Sequence, residues 1–252
     1  MNEPGVALVT GGSRGIGRAI VTLLAARGSR VMFTYLRNKA QADEVVALVA
    51  AAGGEARAMR ADVADANSAA AVVQTVIKAW GRIDVLVNNA GTHLPGVTLA
   101  DTPLAEWDRI IRTNVYGPFQ LVQEVLPYMR AQRAGNIINI SSNVTQRFPA
   151  GYGAYTVSKS ALDTFTKILS KEEGPNGIRV NAVAPGPIRT DMLAESLGGL
   201  DSDKAREFTG SVPLRRAGEP VEIAESVAFL ASDAASYMTG QVVYVNGGGP
   251  GG

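Results

Sequence analysis

Short runs of apolar and β-branched residues alternate with longer segments of helical periodicity along nearly the whole chain. The runs fall at 6–9, 31–35, 56–61, 85–88, 137–140, 179–183 and 242–245, each of a length that suits a strand buried on both faces. Between the third and fourth runs, Val72, Val73, Val76, Ile77 and Trp80 share one stripe of a helix, because residues three and four apart lie on one face. Strands apolar throughout and separated by helices predict a parallel sheet covered on both sides, with right-handed crossovers. The expected class is α/β, doubly wound, and no linker divides the pattern, so one domain over 1–252 is expected.

Two stretches break the rhythm. Residues 185–213 carry three glycines after Gly186 and little periodicity, and a long excursion inside a compact domain reads as a lid over a site. Residues 247–252 hold five glycines and a proline, which reads as a flexible tail. At the other end, residues 1–4 lead straight into the first strand without a basic leader or cleavage site. No apolar run approaches the roughly 18 residues of a membrane span, so a soluble, cytoplasmic protein is expected.

Composition narrows the chemistry. There is no cysteine, which excludes disulfides, zinc–thiolate centres and thiol catalysis, and the single histidine, His93, excludes a multi-histidine metal site. With 24 basic and 23 acidic residues, the net charge of +1 offers no basic excess for nucleic acid.

The first strand ends in Thr10-Gly11-Gly12-Ser13-Arg14-Gly15-Ile16-Gly17, and an apolar helix follows. Glycines there let the chain turn tightly and bring a pyrophosphate to the amides of a helix N-terminus, where the dipole favours negative charge. Gly17 would let that helix pack close to the strand. The position between first strand and first helix is the context that turns a glycine cluster into a dinucleotide site.

The spacing Thr-Gly-x-x-x-Gly-x-Gly resembles that of the short-chain dehydrogenase/reductase family, and further matches follow in order. They are Asp62-Val63, Asn88-Asn89-Ala90-Gly91, Asn114, Ser142, Tyr155-x-x-x-Lys159 and Pro185-Gly186-Pro187-Ile188-x-Thr190. The resemblance covers essentially the whole chain and looks closest to the 3-oxoacyl-(acyl-carrier-protein) reductases. It implies a Rossmann-type sheet of seven strands in the order 3-2-1-4-5-6-7, with the cofactor across its carboxyl edge. It further implies that Gly11, Ser13, Gly15, Ile16 and Gly17 cradle phosphate. By the same resemblance Asp62 and Val63 flank the adenine, and Asn88, Ala90 and Gly91 line the cleft. Pro185, Gly186, Ile188 and Thr190 meet the nicotinamide.

Tyr155 and Lys159, four residues apart within a helical segment at 155–169, share a face. A nearby ammonium favours the phenolate, so the tyrosine can give a proton to a carbonyl or take one from an alcohol. Lys159 is expected to hold the nicotinamide ribose as well, Ser142 to bond the substrate oxygen, and Asn114 to complete a water-borne proton path, the last role taken from the family. Tyr152 lacks a cationic i+4 partner, and Ser141 is one residue too far from Tyr155 for the family spacing. His93 reads as a surface or loop histidine, and Trp107, Phe119 and Phe148 read as core or lid residues.

An NAD site places a carboxylate at the end of the second strand. That place is Tyr35 here, followed by Arg37, and no carboxylate appears before Asp43. Arg14 and Arg37 offer guanidinium forks suited to a phosphate, so the expected cofactor is NADP(H). The expected function is NADP(H)-dependent reduction of a small or carrier-bound ketone. Alternatives are an NAD-dependent alcohol dehydrogenase of the same family and a non-catalytic NADP(H) sensor. Family resemblance also implies a homotetramer, paired through helices near 115–129 and 154–169.

Overall fold

A computed structural model describes residues 5–249. Its sheet is assembled from β1 (Val6–Val9), β2 (Arg30–Tyr35), β3 (Glu55–Arg60), β4 (Val85–Asn88), β5 (Gly135–Ile140), β6 (Ile178–Pro185) and β7 (Val242–Val245). The order is 3-2-1-4-5-6-7 and every pairing is parallel. All four residues of β1 and of β4 are buried, which explains why residues 6–9 and 85–87 read as apolar runs rather than alternating ones.

Two hydrophobic layers flank the sheet. On one side α1 (Gly15–Ala26), α2 (Lys39–Ala51) and α10 (Pro220–Ala231) pack Ile20, Val21, Leu24, Val45 and Val227 against Val9 and Phe33. On the other, α3 (Ala66–Trp80) and α5 (Gly117–Gln132) pack Val72, Val76, Leu121 and Val125 against Leu8 and Leu86. The α3 stripe is the one the spacing predicts, although Trp80 is only partly buried.

Before α5 the chain runs through α4 (Leu104–Ile111) and one π-helical turn, Arg112–Tyr116. Such turns insert an extra residue into a helix and are frequent at functional sites. Beyond β5 come the short α6 (Val144–Arg147) and the long α7 (Gly153–Glu173), which extends past both ends of the expected 155–169 segment.

The excursion after β6 is more regular than its sequence suggests, for it contains α8 (Asp191–Leu197) and α9 (Asp203–Gly210). Each is capped by a hydroxyl: Thr190 accepts from the Leu193 amide, and Ser202 from the Ala205 amide. Residues 247–249 are also not a loose tail. Leu214 donates its amide to the Gly247 carbonyl at 3.1 Å, and Gly249 is buried. Residues 250–252 of the expected tail, like the expected leaderless start at 1–4, lie outside the described residues. Among the described residues no helix is long and apolar enough to cross a membrane, and no acidic or histidine cluster could hold a metal.

Candidate active site

The carboxyl ends of β1, β2, β4, β5 and β6 open into one cleft of about 1260 Å³. Its first wall is the glycine turn. Gly15 adopts φ +53°, a conformation that suits glycine. A Cβ on Gly17 would collide with the Gly11 carbonyl oxygen and lie 2.6 Å from Asn89 Nδ2. α1 therefore approaches β1 closely, and its N-cap Arg14 makes no side-chain cap. The first-turn amides are thus left for an anion, as a pyrophosphate cradle requires.

Ser13, Arg14, Ile16, Tyr35, Arg37, Asp62, Val63, Ala90 and Gly91 all line the same cleft, as do Pro185, Gly186, Ile188 and Thr190. Tyr35 ends β2 with its ring buried, and Arg60 donates to the Leu36 carbonyl at 3.2 Å, which fixes the turn carrying Arg37. Arg14 reaches across to Asp191 of α8 at 2.9 Å, both side chains being largely exposed.

One asparagine departs from the expected placement. Asn88 does not line the cleft. It is buried within the sheet, where its amide donates to Asn139 Oδ1 at 2.9 Å, and Asn139 donates in turn to Thr166. Its neighbour Asn89 lines the cleft instead and donates to the Thr10 carbonyl at 2.8 Å, tying β4 to the glycine turn. Asn114 lies in the π-helical turn, fully buried. Its carbonyl accepts from the Thr92 amide, and its amide donates to the Thr92 carbonyl and to Ser158 Oγ, each at 2.9 Å. Asn114 Oδ1 and Lys159 Nζ each lie 3.5 Å from where a Cβ on Gly91 would stand. The missing side chain leaves a gap between them.

Tyr155 and Lys159 rise from the first turns of α7 on one face, and the ammonium stands 5.7 Å from the tyrosine ring. Lys159 is buried and donates to the Ile140 carbonyl at 2.7 Å. Burial pushes its pKa down to about 8, opposed by the Asp163 carboxylate. The Tyr155 hydroxyl is pushed up to about 12 by burial, with Ser142 pulling it down and Tyr152 adding to the rise. Desolvation is thus the largest influence on the Tyr155 hydroxyl. Ser142, at the end of β5, is held by the Val144 amide, which donates to its Oγ at 3.3 Å.

His93 belongs to this site, contrary to its reading as a surface or loop residue. It lines the cleft, its ring stands edge-on 6.0 Å from that of Tyr155, and its Nε2 lies 3.0 Å from Ser196 Oγ on α8. Burial lowers its pKa, so the ring favours the neutral form. Tyr152 lines the cleft too. Phe148 and Phe119 are neither core nor cleft residues: they are 67% and 44% exposed. Trp107 is half-buried outside the cleft lining.

The family described as Enoyl-(Acyl carrier protein) reductase matches residues 11–249. A 3-oxoacyl-[acyl-carrier-protein] reductase of Staphylococcus epidermidis is 42% identical over 242 residues, covering 96% of this chain and 97% of that one. The chain belongs to the short-chain dehydrogenase/reductase family. Solved members of this family superpose closely. Levodione reductase gives a TM-score of 0.92 at 35% identity, covering 97% of this chain and 96% of that one. A blue fluorescent protein from a metagenomic library, in complex with NADPH, gives 0.90 at 40% identity, covering 98% and 99%. As a short-chain dehydrogenase/reductase the chain is an oxidoreductase that works with a nicotinamide cofactor.

Proposed function

We propose that this oxidoreductase is an NADP(H)-dependent reductase of 3-oxoacyl-type ketones, with Tyr155 as its proton donor. The observation that supports it most is the meeting of Tyr155, Lys159 and Ser142 at one end of a cleft whose other end is a glycine cradle. The Staphylococcus relative is named for a 3-oxoacyl substrate, and a solved relative is described with NADPH.

The cradle fits a dinucleotide, since the close approach of α1 and its uncapped amides suit a pyrophosphate. Gly11, Gly15 and Gly17 would admit the pyrophosphate, Asp62 and Val63 would flank the adenine, and Pro185 to Thr190 would border the nicotinamide. Bound there in its reduced form, the nicotinamide supplies the hydride. Arg14 and Arg37 would hold a 2′-phosphate, with Tyr35 where a carboxylate would repel it.

Tyr155 gives its proton to the carbonyl oxygen, and Ser142 donates a second hydrogen bond to the same atom, stabilising the negative charge that develops there. Lys159 holds a positive charge beside the tyrosine and favours the phenolate left behind. The gap kept by Gly91 between Asn114 and Lys159 suits a water that passes a proton inward to the lysine. His93 and Ser196 join the 92–98 loop to α8 across the substrate end of the cleft.

The reading includes one cytoplasmic catalytic domain whose residues 186–213 close over the nicotinamide. It also includes a homotetramer, supported by the apolar side chains exposed on or beside α5 and α7: Tyr116, Phe119, Val157 and Ile168. Following NADPH absorbance against a panel of 3-oxoacyl thioesters, other ketones and an enoyl thioester tests the assignment. Turnover of the 3-oxoacyl arm is expected, and turnover of the enoyl arm alone would overturn it. No turnover with any ketone would favour a sensor.

A further inference from the structure

A carboxylate stands behind the lysine. Asp163 lies one helical turn beyond Lys159 on α7, so Tyr155, Lys159 and Asp163 form an i, i+4, i+8 row. Asp163 is 8% exposed; no donor lies within strict hydrogen-bond geometry of its Oδ1, although the Ser141 and Thr145 hydroxyls stand near enough to the carboxylate to favour its charge. Leaving a buried carboxylate oxygen so loosely paired is unfavourable. Its helix neighbours Leu162, Thr166 and Leu169 are fully packed, so an apolar side chain would fill this position without that cost. A polar group kept at such a place calls for a role.

The groups facing Asp163 come from every element around it. Lys159 and Lys167 act on it from α7, Ser141 from the end of β5 and Thr145 from α6. The Thr145 hydroxyl in turn pairs with the Tyr244 hydroxyl of β7 at 3.1 Å. On the other side, Lys159 meets the Tyr155 ring and the Ile140 carbonyl. Among the described residues, Asp163 is the carboxylate whose charge acts on it.

We propose that Asp163 is a positioning residue for the reaction: its carboxylate, held in the layer between α7 and the sheet, lets Lys159 keep its proton to higher pH than burial alone would allow. A lysine buried without a counter-charge loses its proton as the medium is made mildly alkaline. The carboxylate opposes that loss from one turn away, through a low-dielectric layer where charges are weakly screened. Burial pushes the Asp163 carboxyl up, while Ser141, Thr145, Lys167 and Lys159 pull it back towards its charged form. The inference rests on the reading of Lys159 as the charged partner of Tyr155.

Asp163→Asn removes the charge and keeps the size and hydrogen-bonding capacity, whereas Asp163→Glu keeps the charge. With saturating NADPH and a ketone substrate, kcat/KM is followed from pH 6 to 10. In Asp163→Asn the alkaline limit is expected about one pH unit lower, on the order of what a unit charge one turn away supplies. Asp163→Glu should restore the limit. A purely structural aspartate would leave the limit where it is, since asparagine preserves its contacts. Superimposable profiles for wild type and Asp163→Asn would overturn the inference, as would a glutamate that behaves like asparagine. If Asp163→Asn does not fold, Asp163→Leu removes the charge by a different packing and is read the same way. If the wild type turns over no ketone, the functional reading fails separately. The lysine is then titrated directly by NMR of ¹³Cε-labelled protein, with its signal assigned through Lys159→Met. A lower Lys159 pKa in Asp163→Asn supports the inference, and an equal one overturns it.

Discussion

Removing Arg37 should cost the enzyme its choice between NADPH and NADH rather than its chemistry. Arg37 follows the buried Tyr35 on the cleft edge, and Arg14 projects from the glycine turn towards Asp191 at 2.9 Å. A charge-assisted contact to a phosphate contributes about 1.5–3 kcal/mol. Arg14 must leave Asp191 to make one, but an exposed ion pair is worth only about 0–1 kcal/mol. A 2′-phosphate should therefore win Arg14, at a net gain smaller than that of Arg37. Together the two cations should favour NADPH by roughly a hundredfold or more at about 1.4 kcal/mol per decade. Arg37→Ala should lower kcat/KM for NADPH by roughly ten- to a hundredfold on the same scale and leave NADH nearly unchanged. Adding Tyr35→Asp should move the preference to NADH, because the new carboxylate repels a 2′-phosphate and suits a ribose hydroxyl. Asp191→Ala frees Arg14 and should raise NADPH efficiency by at most about fivefold. Initial rates with each cofactor against one ketone measure all of this. A wild type that uses NADH equally well, or an Arg37→Ala variant that loses both cofactors alike, would refute the reasoning.

Lys159 has a pKa of about 8 in the fold against an ordinary 10.5, so the unfolded chain holds its proton to higher pH. Stability should therefore rise with pH between 8 and 10.5. Between pH 8 and 9.5 the wild type should gain about 1.5 kcal/mol relative to Lys159→Met, at about 1.4 kcal/mol per pH unit, in denaturant titrations; parallel curves would contradict it. Residues 186–213, strapped by Arg14–Asp191 and by His93–Ser196, should gain amide-exchange protection when cofactor and substrate bind together. Equal protection in free and bound protein would count against closure. Light scattering at micromolar concentration should give a tetramer, and a monomer alone would remove the role given to the exposed faces of α5 and α7.

The sheet was legible because buried parallel strands need apolar runs, and Val6–Val9 and residues 85–87 supply them. The glycine turn was legible for a steric reason: at Gly17 a side chain has no room. Strand ends were less so, since Pro185 continues β6 by pairing with Val245 although its residue type suggests a loop. Adjacent asparagines look alike in sequence, yet Asn88 ends a strand and pairs within the sheet while Asn89 turns to the cleft. The helices α8 and α9 span only seven and eight residues, too short for periodicity to register. The π-helical turn around Asn114 has no sequence signal. His93 was missed because its position depends on Ser196, 103 residues away.

The central claim is that Tyr155, and not the neighbouring Tyr152, gives the proton. Both line the cleft, but only Tyr155 has Lys159 beside its ring and Ser142 acting on its hydroxyl. The most direct measurement compares ketone-dependent NADPH oxidation by Tyr155→Phe and Tyr152→Phe, with NADPH binding followed separately by fluorescence. Tyr155→Phe should bind NADPH nearly as the wild type does and turn over at least about a hundredfold more slowly, the lower end of what general acid catalysis contributes. Tyr152→Phe should keep most of its activity. Equal losses in the two variants, or a Tyr155→Phe enzyme that still reduces the ketone at the wild-type rate, would contradict the account.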